Sequence, residues 1–194
     1  MEAVRSVSGS VASLDRADVD TDQIIPAQHL KRIERTGYGQ FLFEMWRQDP
    51  EFELNKPEFA GASILVTGPN FGCGSSREHA AWALHDYGFR AVIGTTFGDI
   101  FRNNSGKNGL LIVSLSAADV AELHASAPAS ACVDLEREVV TLPSGREVGF
   151  TIDPDTLHRL LNGLDDIALT LQRVAEIDAY EQTRERSGPS TFLP

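Results

Sequence analysis

The chain has 194 residues, of which 42% are hydrophobic and 23% charged, with a formal net charge of −11. A chain this long buries roughly 70% of the surface it exposes when unfolded, enough for one domain with a sizeable core. The acidic balance excludes general nucleic-acid binding, which needs a surplus of Lys and Arg to neutralise phosphates. It leaves a small anionic substrate open, because a few local cations can reverse the field within one cleft. The two cysteines, Cys73 and Cys132, are too few for a disulfide framework or for the three or four thiolates of an iron–sulfur cluster. They suit a reducing compartment. No apolar run approaches the ~20 residues of a membrane span, and the first residues lack an apolar signal core, so a cytoplasmic protein away from membranes is expected.

In chain order, residues 4–14 alternate enough for one or two strands, with Gly9 as a turn or bulge. Residues 15–22 read as a polar, acidic loop. Residues 28–47 predict a helix in two pieces broken at Gly37 and Gly39, with Phe41, Leu42, Met45 and Trp46 on one face. Pro50, Pro57 and Gly61 mark 49–61 as a loop. A regular pattern then begins: strand 63–67, helix 76–87 with Ala80, Ala83, Leu84 and Tyr87 on one face, strand 91–95, helix 97–104, strand 110–115 and helix 117–125. Apolar strands alternating with helices over short connections predict a buried parallel sheet. After Pro128 come short strands at 131–136, 138–142 and 146–152, with a hairpin turn at Pro143-Ser144-Gly145. A helix at 155–162 ends at Gly163, Asp165 or Asp166 caps a last helix of about 167–185, and 187–194 read as a mobile tail. The expected fold class is α/β, a single domain over 1–186 with a central parallel sheet, flanking helices and antiparallel additions.

The chemistry concentrates in residues 68–79, Gly-Pro-Asn-Phe-Gly-Cys-Gly-Ser-Ser-Arg-Glu-His. They lie at the carboxyl end of a predicted parallel strand, where open α/β sheets bind ligands. Gly72 and Gly74 permit close backbone approach. Ser75 with Glu78 three residues on fits a capping box, which places a helix start there. Its free amides and dipole favour an anion and the alkoxide form of a serine. Arg77 adds a fork that matches a carboxylate. The plain alternative is a well-capped helix after a glycine turn, and the residues alone leave both readings standing. A Walker loop would need Gly-Lys-Ser/Thr and a hydrolase elbow Gly-x-Ser-x-Gly; neither is present. Asp18-x-Asp20-x-Asp22 lacks the Gly and Glu that an EF-hand loop needs, since those places hold Gln23 and His29.

The run Gly72-x-Gly74-Ser75-Ser76-Arg77-Glu78-His79-Ala80 resembles the signature of the swivelling domain of the aconitase family, a β/β/α domain. Val19-Asp20-Thr21-Asp22-Gln23-Ile24-Ile25-Pro26 resembles that family's Thr-Asp loop. Phe97–Asn104 with Lys107-Asn108-Gly109-Leu110-Leu111 resembles its next helix and turn. Arg35–Gly39 and Gly163–Leu171 resemble the small subunits of bacterial 3-isopropylmalate dehydratases.

The resemblance implies a hydro-lyase half-site. Ser75 would be the base that removes a proton next to a carboxylate. Arg77 would activate it and bind substrate, and Asp22 would reach the site from the Thr-Asp loop. Ser76, Gly74 and Thr21 would support the substrate, and the Gln28–Arg32 loop would meet its variable substituent through Leu30 and Lys31. This chain would bind no cofactor; a [4Fe-4S] cluster would sit in a separate large subunit, the expected partner. The substrate would be a small dicarboxylate such as isopropylmalate, in leucine biosynthesis. Lys31 and Arg32 leave homoaconitase-like or methylmalate-type enzymes open. A non-catalytic binding protein on the same fold, and a homo-oligomer of the isolated chain, are further alternatives.

Overall fold

The computed structural model describes residues 1–184. Among them the strands are β1 (Ser6–Leu14), β2 (Ile64–Thr67), β3 (Ala91–Gly94), β4 (Leu111–Ser114), β5 (Ser130–Asp134), β6 (Val139–Thr141) and β7 (Glu147–Gly149). They form one sheet in the order β4-β3-β2-β1-β5-β6-β7. From β4 to β1 the strands are parallel; β5, β6 and β7 add antiparallel. β2 and β3 are four-residue runs buried throughout, as expected for parallel strands covered on both faces. β1 serves both halves: Val11 pairs with Ile64 in the parallel part and Gly9 with Ala131 in the antiparallel part. Gly9 is therefore neither turn nor bulge. Its missing side chain admits a neighbour, because a Cβ there would lie 2.1 Å from Ser63 Oγ.

The helices are α1 (Thr21–Ile24), α2 (Glu44–Arg47), α3 (Glu78–Tyr87), α4 (Asp99–Lys107), α5 (Ala117–Ser126), α6 (Pro154–Asn162), α7 (Asp166–Leu171) and α8 (Val174–Thr183). On one sheet face, Leu14, Leu65 and Val92 pack with Ala80, Ala81 and Leu84 of α3 and with Phe101 of α4. On the other, Val11, Val66 and Ile93 pack with Val120 and Leu123 of α5 and Leu160 of α6.

The segment between β1 and β2 departs from the expectation. The two helical pieces predicted over 28–47 are instead 3-10 turns at Ala27–Lys31 and Gly39–Phe41 followed by the single turn of α2. Packing overrides the local pattern: Phe43 sits at φ 53° and is fully buried, while Met45, expected inward, is 60% exposed. Gly39 lies so close to α3 that a Cβ would be 2.6 Å from the Tyr87 backbone nitrogen. The 49–61 loop contributes Phe52, Leu54 and Phe59 to the core through two further 3-10 turns.

The acidic loop predicted over 15–22 ends at Asp20, because Thr21 and Asp22 open α1. The single last helix is also corrected. It breaks at Gln172-Arg173 into α7 and α8, because its partly apolar face offers no continuous stripe to pack; neither helix has a buried residue. Asp165 is the cap, accepting from the Ala168 amide at 2.7 Å. Gly163 ends α6 at φ 66°, as its position suggested. The predicted tail 187–194 lies outside the described residues.

Behind the sheet, Ser13 Oγ of β1 and His124 Nδ1 of α5 are 2.8 Å apart, and His124 Nε2 stands 3.7 Å from Asp15. Burial pushes the His124 pKa down, against an opposing pull from Asp15. The unfolded chain therefore takes up this proton more readily than the folded one. The stabilising term is intact above the unfolded value of about 6.5 and is lost as pH falls below it toward the lower folded value. Urea unfolding at about pH 7.5 and pH 5.5 is expected to give lower stability at the acid end. His124→Gln should flatten that slope; an unchanged slope would remove His124 as a contributor.

Candidate functional site

Three loops leave the carboxyl ends of β1, β2 and β3 and are laced side by side. The loop after β2 accepts from the first loop through Asp18 N to Pro69 O (2.9 Å) and Thr21 N to Cys73 O (3.0 Å), and its Gly72 N donates to Val19 O (2.7 Å). On its other side, Gly98 N of the loop after β3 donates to Phe71 O at 2.9 Å. Isolated bridges Asp20–Cys73 and Phe71–Phe97 thus extend the parallel ladder beyond the strands.

α1 starts from a complete capping box. The Asp20 carboxylate accepts from the Gln23 amide and the Gln23 side chain accepts from the Asp20 amide, each at 2.8 Å. Its sequence signal is the spacing Asp20-x-x-Gln23. The box fixes Thr21 and Asp22 in the first turn, facing the second loop. Thr21, 2% exposed, donates its hydroxyl to the Ser75 carbonyl at 3.1 Å, with its oxygen 3.3 Å from Ser75 Oγ. Arg77 grips Asp22 with both ends of its fork, Nη2 to Oδ2 at 2.6 Å, and Nη1 also donates to the Ile25 carbonyl at 3.3 Å. The Arg77 side chain is only 12% exposed, whereas Asp22 is 57% exposed.

The capping box expected at Ser75 and Glu78 does not form. α3 begins at Glu78, two residues later than Ser76, with Arg77 at the cap position in an extended conformation and no side chain taking up its first amides. Both members of the predicted box are engaged elsewhere: the Ser75 hydroxyl faces Thr21, and Glu78 accepts from Asn108 Nδ2 at 3.0 Å. The helix start consequently keeps unclaimed N–H groups beside the exposed Ser75 and Ser76, a favourable place for an anion. Gly74 at φ 91° has only ordinary contacts around a would-be Cβ, the nearest Asp20 Cβ at 3.5 Å.

Asn108 has a role that its place in the Lys107–Leu111 run does not signal. It ties α3 to α4 by accepting from Trp82 Nε1 (2.8 Å) while donating to Glu78 and to the Asn104 carbonyl (2.8 Å). Arg102, likewise unassigned, donates to Ser114 Oγ at 2.7 Å and stacks its guanidinium 5.3 Å from the centre of the Phe97 ring; burial lowers its pKa. Ser76 is exposed and has no side-chain hydrogen bond among the described residues. Leu30, half-buried, and Lys31, exposed, lie on the Ala27–Lys31 turn and have no hydrogen bond or ion pair to the Ser75–Arg77 loop. That turn adjoins the site through the Ile25 carbonyl held by Arg77.

The chain's own residues do not fit an iron–sulfur cluster. Cys73 lies in the second loop, where burial, then the nearby Asp20 and Asp18, push its thiol pKa up. Cys132 lies on β5, with Ser8 Oγ 3.0 Å from its sulfur. Among the described residues, no three His, Cys, Asp or Glu side chains converge as metal ligands, and no helix is long and apolar enough to cross a membrane.

A parallel sheet whose strand ends bring a Thr-Asp turn onto a Gly-x-Gly-Ser-Ser-Arg loop places the chain in the aconitase class. The family model for the aconitase C-terminal domain matches residues 1–118, and a model for the C-terminal domain of the 3-isopropylmalate dehydratase small subunit matches residues 166–192. The 3-isopropylmalate dehydratase small subunit of Rubrobacter xylanophilus is 53% identical over 193 residues, covering 97% of this chain and 98% of its own. That of Rhodopirellula baltica is 56% identical over 187 residues, covering 91% and 95%. A crystal structure of 3-isopropylmalate dehydratase from Methanocaldococcus jannaschii shares the fold at TM-score 0.69 and 24% identity, over 90% of this chain and 99% of that one. The chain belongs to the family of 3-isopropylmalate dehydratase small subunits.

Proposed function

We propose that this chain is the small subunit of a cytoplasmic hydro-lyase that interconverts 2-isopropylmalate and 3-isopropylmalate through isopropylmaleate, in leucine biosynthesis. The observation that carries the reading is the meeting of the two loops, Thr21 on Ser75 and Asp22 on Arg77, in a chain more than half identical to small subunits of that enzyme. The partner is a large subunit with a [4Fe-4S] cluster, which would supply Lewis-acid help to the departing hydroxyl.

This chain's part is proton transfer and binding. Ser75, as its alkoxide, takes the proton next to a substrate carboxylate and becomes a neutral hydroxyl; the C–H electrons form the double bond and the substrate hydroxyl departs with the C–O electron pair. In the second half the hydroxyl adds to the carbon that lost the proton and the Ser75 proton passes to the carbon that lost the hydroxyl, which regenerates the alkoxide. A serine hydroxyl is a poor base unless its anion is stabilised. The Arg77 charge and the uncapped amides of α3 provide that field. The Thr21 hydroxyl donates its proton to the Ser75 carbonyl, so its oxygen can accept from Ser75 Oγ–H once the serine has taken the substrate proton. Gly74 and Ser76 complete the anion-binding turn.

Asp22 holds Arg77 in place. Asp22→Ala is expected to raise KM by about tenfold, the equivalent of ~1.4 kcal/mol, because the pair is half open to solvent and screened there. An unchanged KM and kcat would show that Arg77 needs no such anchor. Substrate choice rests with the Ala27–Lys31 turn. Arg32 is engaged by the Tyr38 and Phe41 rings at 5.6 and 5.1 Å and by Glu34 at 3.6 Å, which leaves Lys31 as the cation able to meet a third carboxylate. Assaying the reconstituted enzyme with isopropylmalate, citrate, homocitrate and methylmalate tests the reading. Preference for isopropylmalate supports it, and preference for homocitrate transfers the chain to a homoaconitase-like role.

A further inference from the structure

The turn Ala27–Lys31 is short and contributes no fully buried residue to the core. Such a segment would ordinarily be loose. Here it is held at one edge. His29 stacks on Phe41, with ring centres 3.8 Å apart and an interplanar angle of 16°. Its Nε2 donates to the Glu44 carboxylate at 2.7 Å, and the Gln28 amide donates to the same carboxylate oxygen at 3.0 Å. The His29 side chain is 13% exposed, so this contact is substantially dehydrated. The Arg32 guanidinium lies 5.1 Å from the centre of the same Phe41 ring.

A 3-10 turn has three residues per turn, so residues i and i+3 eclipse. The Arg32 amide donates to the His29 carbonyl at 3.3 Å, closing that turn. His29 and Arg32 therefore occupy one edge, both on Phe41, and the two residues between them form the arch of the turn. Those two are Leu30 and Lys31. Phe41 is itself supported from beneath, because it belongs to the Gly39–Phe41 turn that Gly39 seats against α3.

We infer that His29, Phe41 and Glu44 form a positioning clamp that sets how the Leu30–Lys31 arch meets the substrate's variable substituent, and so sets selectivity between side chains of different size. The three residues act through the arch and touch no reacting atom. The inference rests on the proposed function, specifically on the arch meeting substrate.

The test uses the enzyme reconstituted with its large subunit, with kcat and KM measured for isopropylmalate and for methylmalate, whose substituent is smaller. Glu44→Ala and Phe41→Leu are expected to raise KM for isopropylmalate by about tenfold, the scale of one lost apolar contact in a pocket. They should leave kcat little changed, so that the isopropylmalate-to-methylmalate preference falls by a similar factor. Phe41→Tyr keeps the stacking surface and should restore the preference. A general loss of folding would instead lower turnover of both substrates together, and gel filtration with thermal unfolding identifies it. Should Phe41→Leu fail to fold, Glu44→Ala decides alone. Leu30→Ala separates the two levels of the reading. If Leu30→Ala shifts the preference and the assembled Glu44→Ala and Phe41→Leu enzymes do not, the clamp is overturned and the arch stands. If Leu30→Ala leaves the preference unchanged, the arch does not meet the substituent and the clamp falls with it.

Discussion

Replacing Ser75 by alanine is expected to lower kcat by about two to four orders of magnitude, the usual worth of a positioned general base, while the complex still assembles. Ser75 is exposed on a loop that other residues hold: its carbonyl is anchored by Thr21 (3.1 Å), and the loop amide of Gly72 is anchored on Val19 (2.7 Å). None of these bonds uses the Ser75 hydroxyl, whose protein neighbour is Thr21 Oγ1 at 3.3 Å. Removing one exposed hydroxyl therefore leaves the scaffold intact and takes away the proposed base. Steady-state kinetics with isopropylmalate and co-elution with the large subunit check the two halves of the expectation. A near-normal kcat in an assembled Ser75→Ala complex would remove Ser75 as the base. KM should change little, because the proposed carboxylate-binding groups, Arg77 and the amides of α3, are untouched.

Gly72→Ala acts on the same loop from beneath and is expected to cost folding stability. Gly72 sits at φ 73°, in the left-handed region, and a Cβ there would lie 2.3 Å from Phe101 Cγ and 2.6 Å from Cδ1. Phe101 cannot yield easily: it is 1% exposed and packs edge-on against Phe71 at 5.4 Å. Backbone strain of about 1–3 kcal/mol adds to an overpacking cost of about 1–3 kcal/mol. For a chain of this size the sum corresponds to a fall in Tm of roughly 5–20 °C. Gly74→Ala is the matched control. Gly74 shares the positive φ at 91°, but its would-be Cβ meets nothing closer than 3.5 Å, so it should carry the strain term alone. Thermal unfolding of both variants separates the terms. Equal Tm losses would contradict the role given to Phe101.

The parts of the fold that were legible are those where one local rule decides. β2, β3 and β4 are short apolar runs between glycines and helices, and Gly163 and Asp165 mark helix ends through backbone geometry that few other residues satisfy. The segment from Asp15 to Ala62 is not legible from local pattern because its conformation is imposed from outside. Phe43 accepts a left-handed backbone to reach the core, and Gly39 accepts contact with α3. The predicted Ser75–Glu78 box failed for a related reason. Each side chain had a second partner, Thr21 or Asn108, that is distant in sequence, and local spacing is blind to such competition. The convergence of Thr21 and Asp22 on Ser75 and Arg77 could be expected only through the resemblance of both motifs to one family. More than fifty residues separate them along the chain, with Asp22 and Arg77 55 apart. The clamp around Phe41 had no signal in the sequence, since it depends on which ring His29 and Arg32 share.

The most direct test of a half-site on this chain is the absorbance of isopropylmaleate, followed with isopropylmalate as substrate in three samples: this chain alone, its large subunit alone with the cluster in place, and the two mixed. The account predicts turnover in the mixture only. Full turnover by this chain alone, or by the large subunit alone, would contradict it.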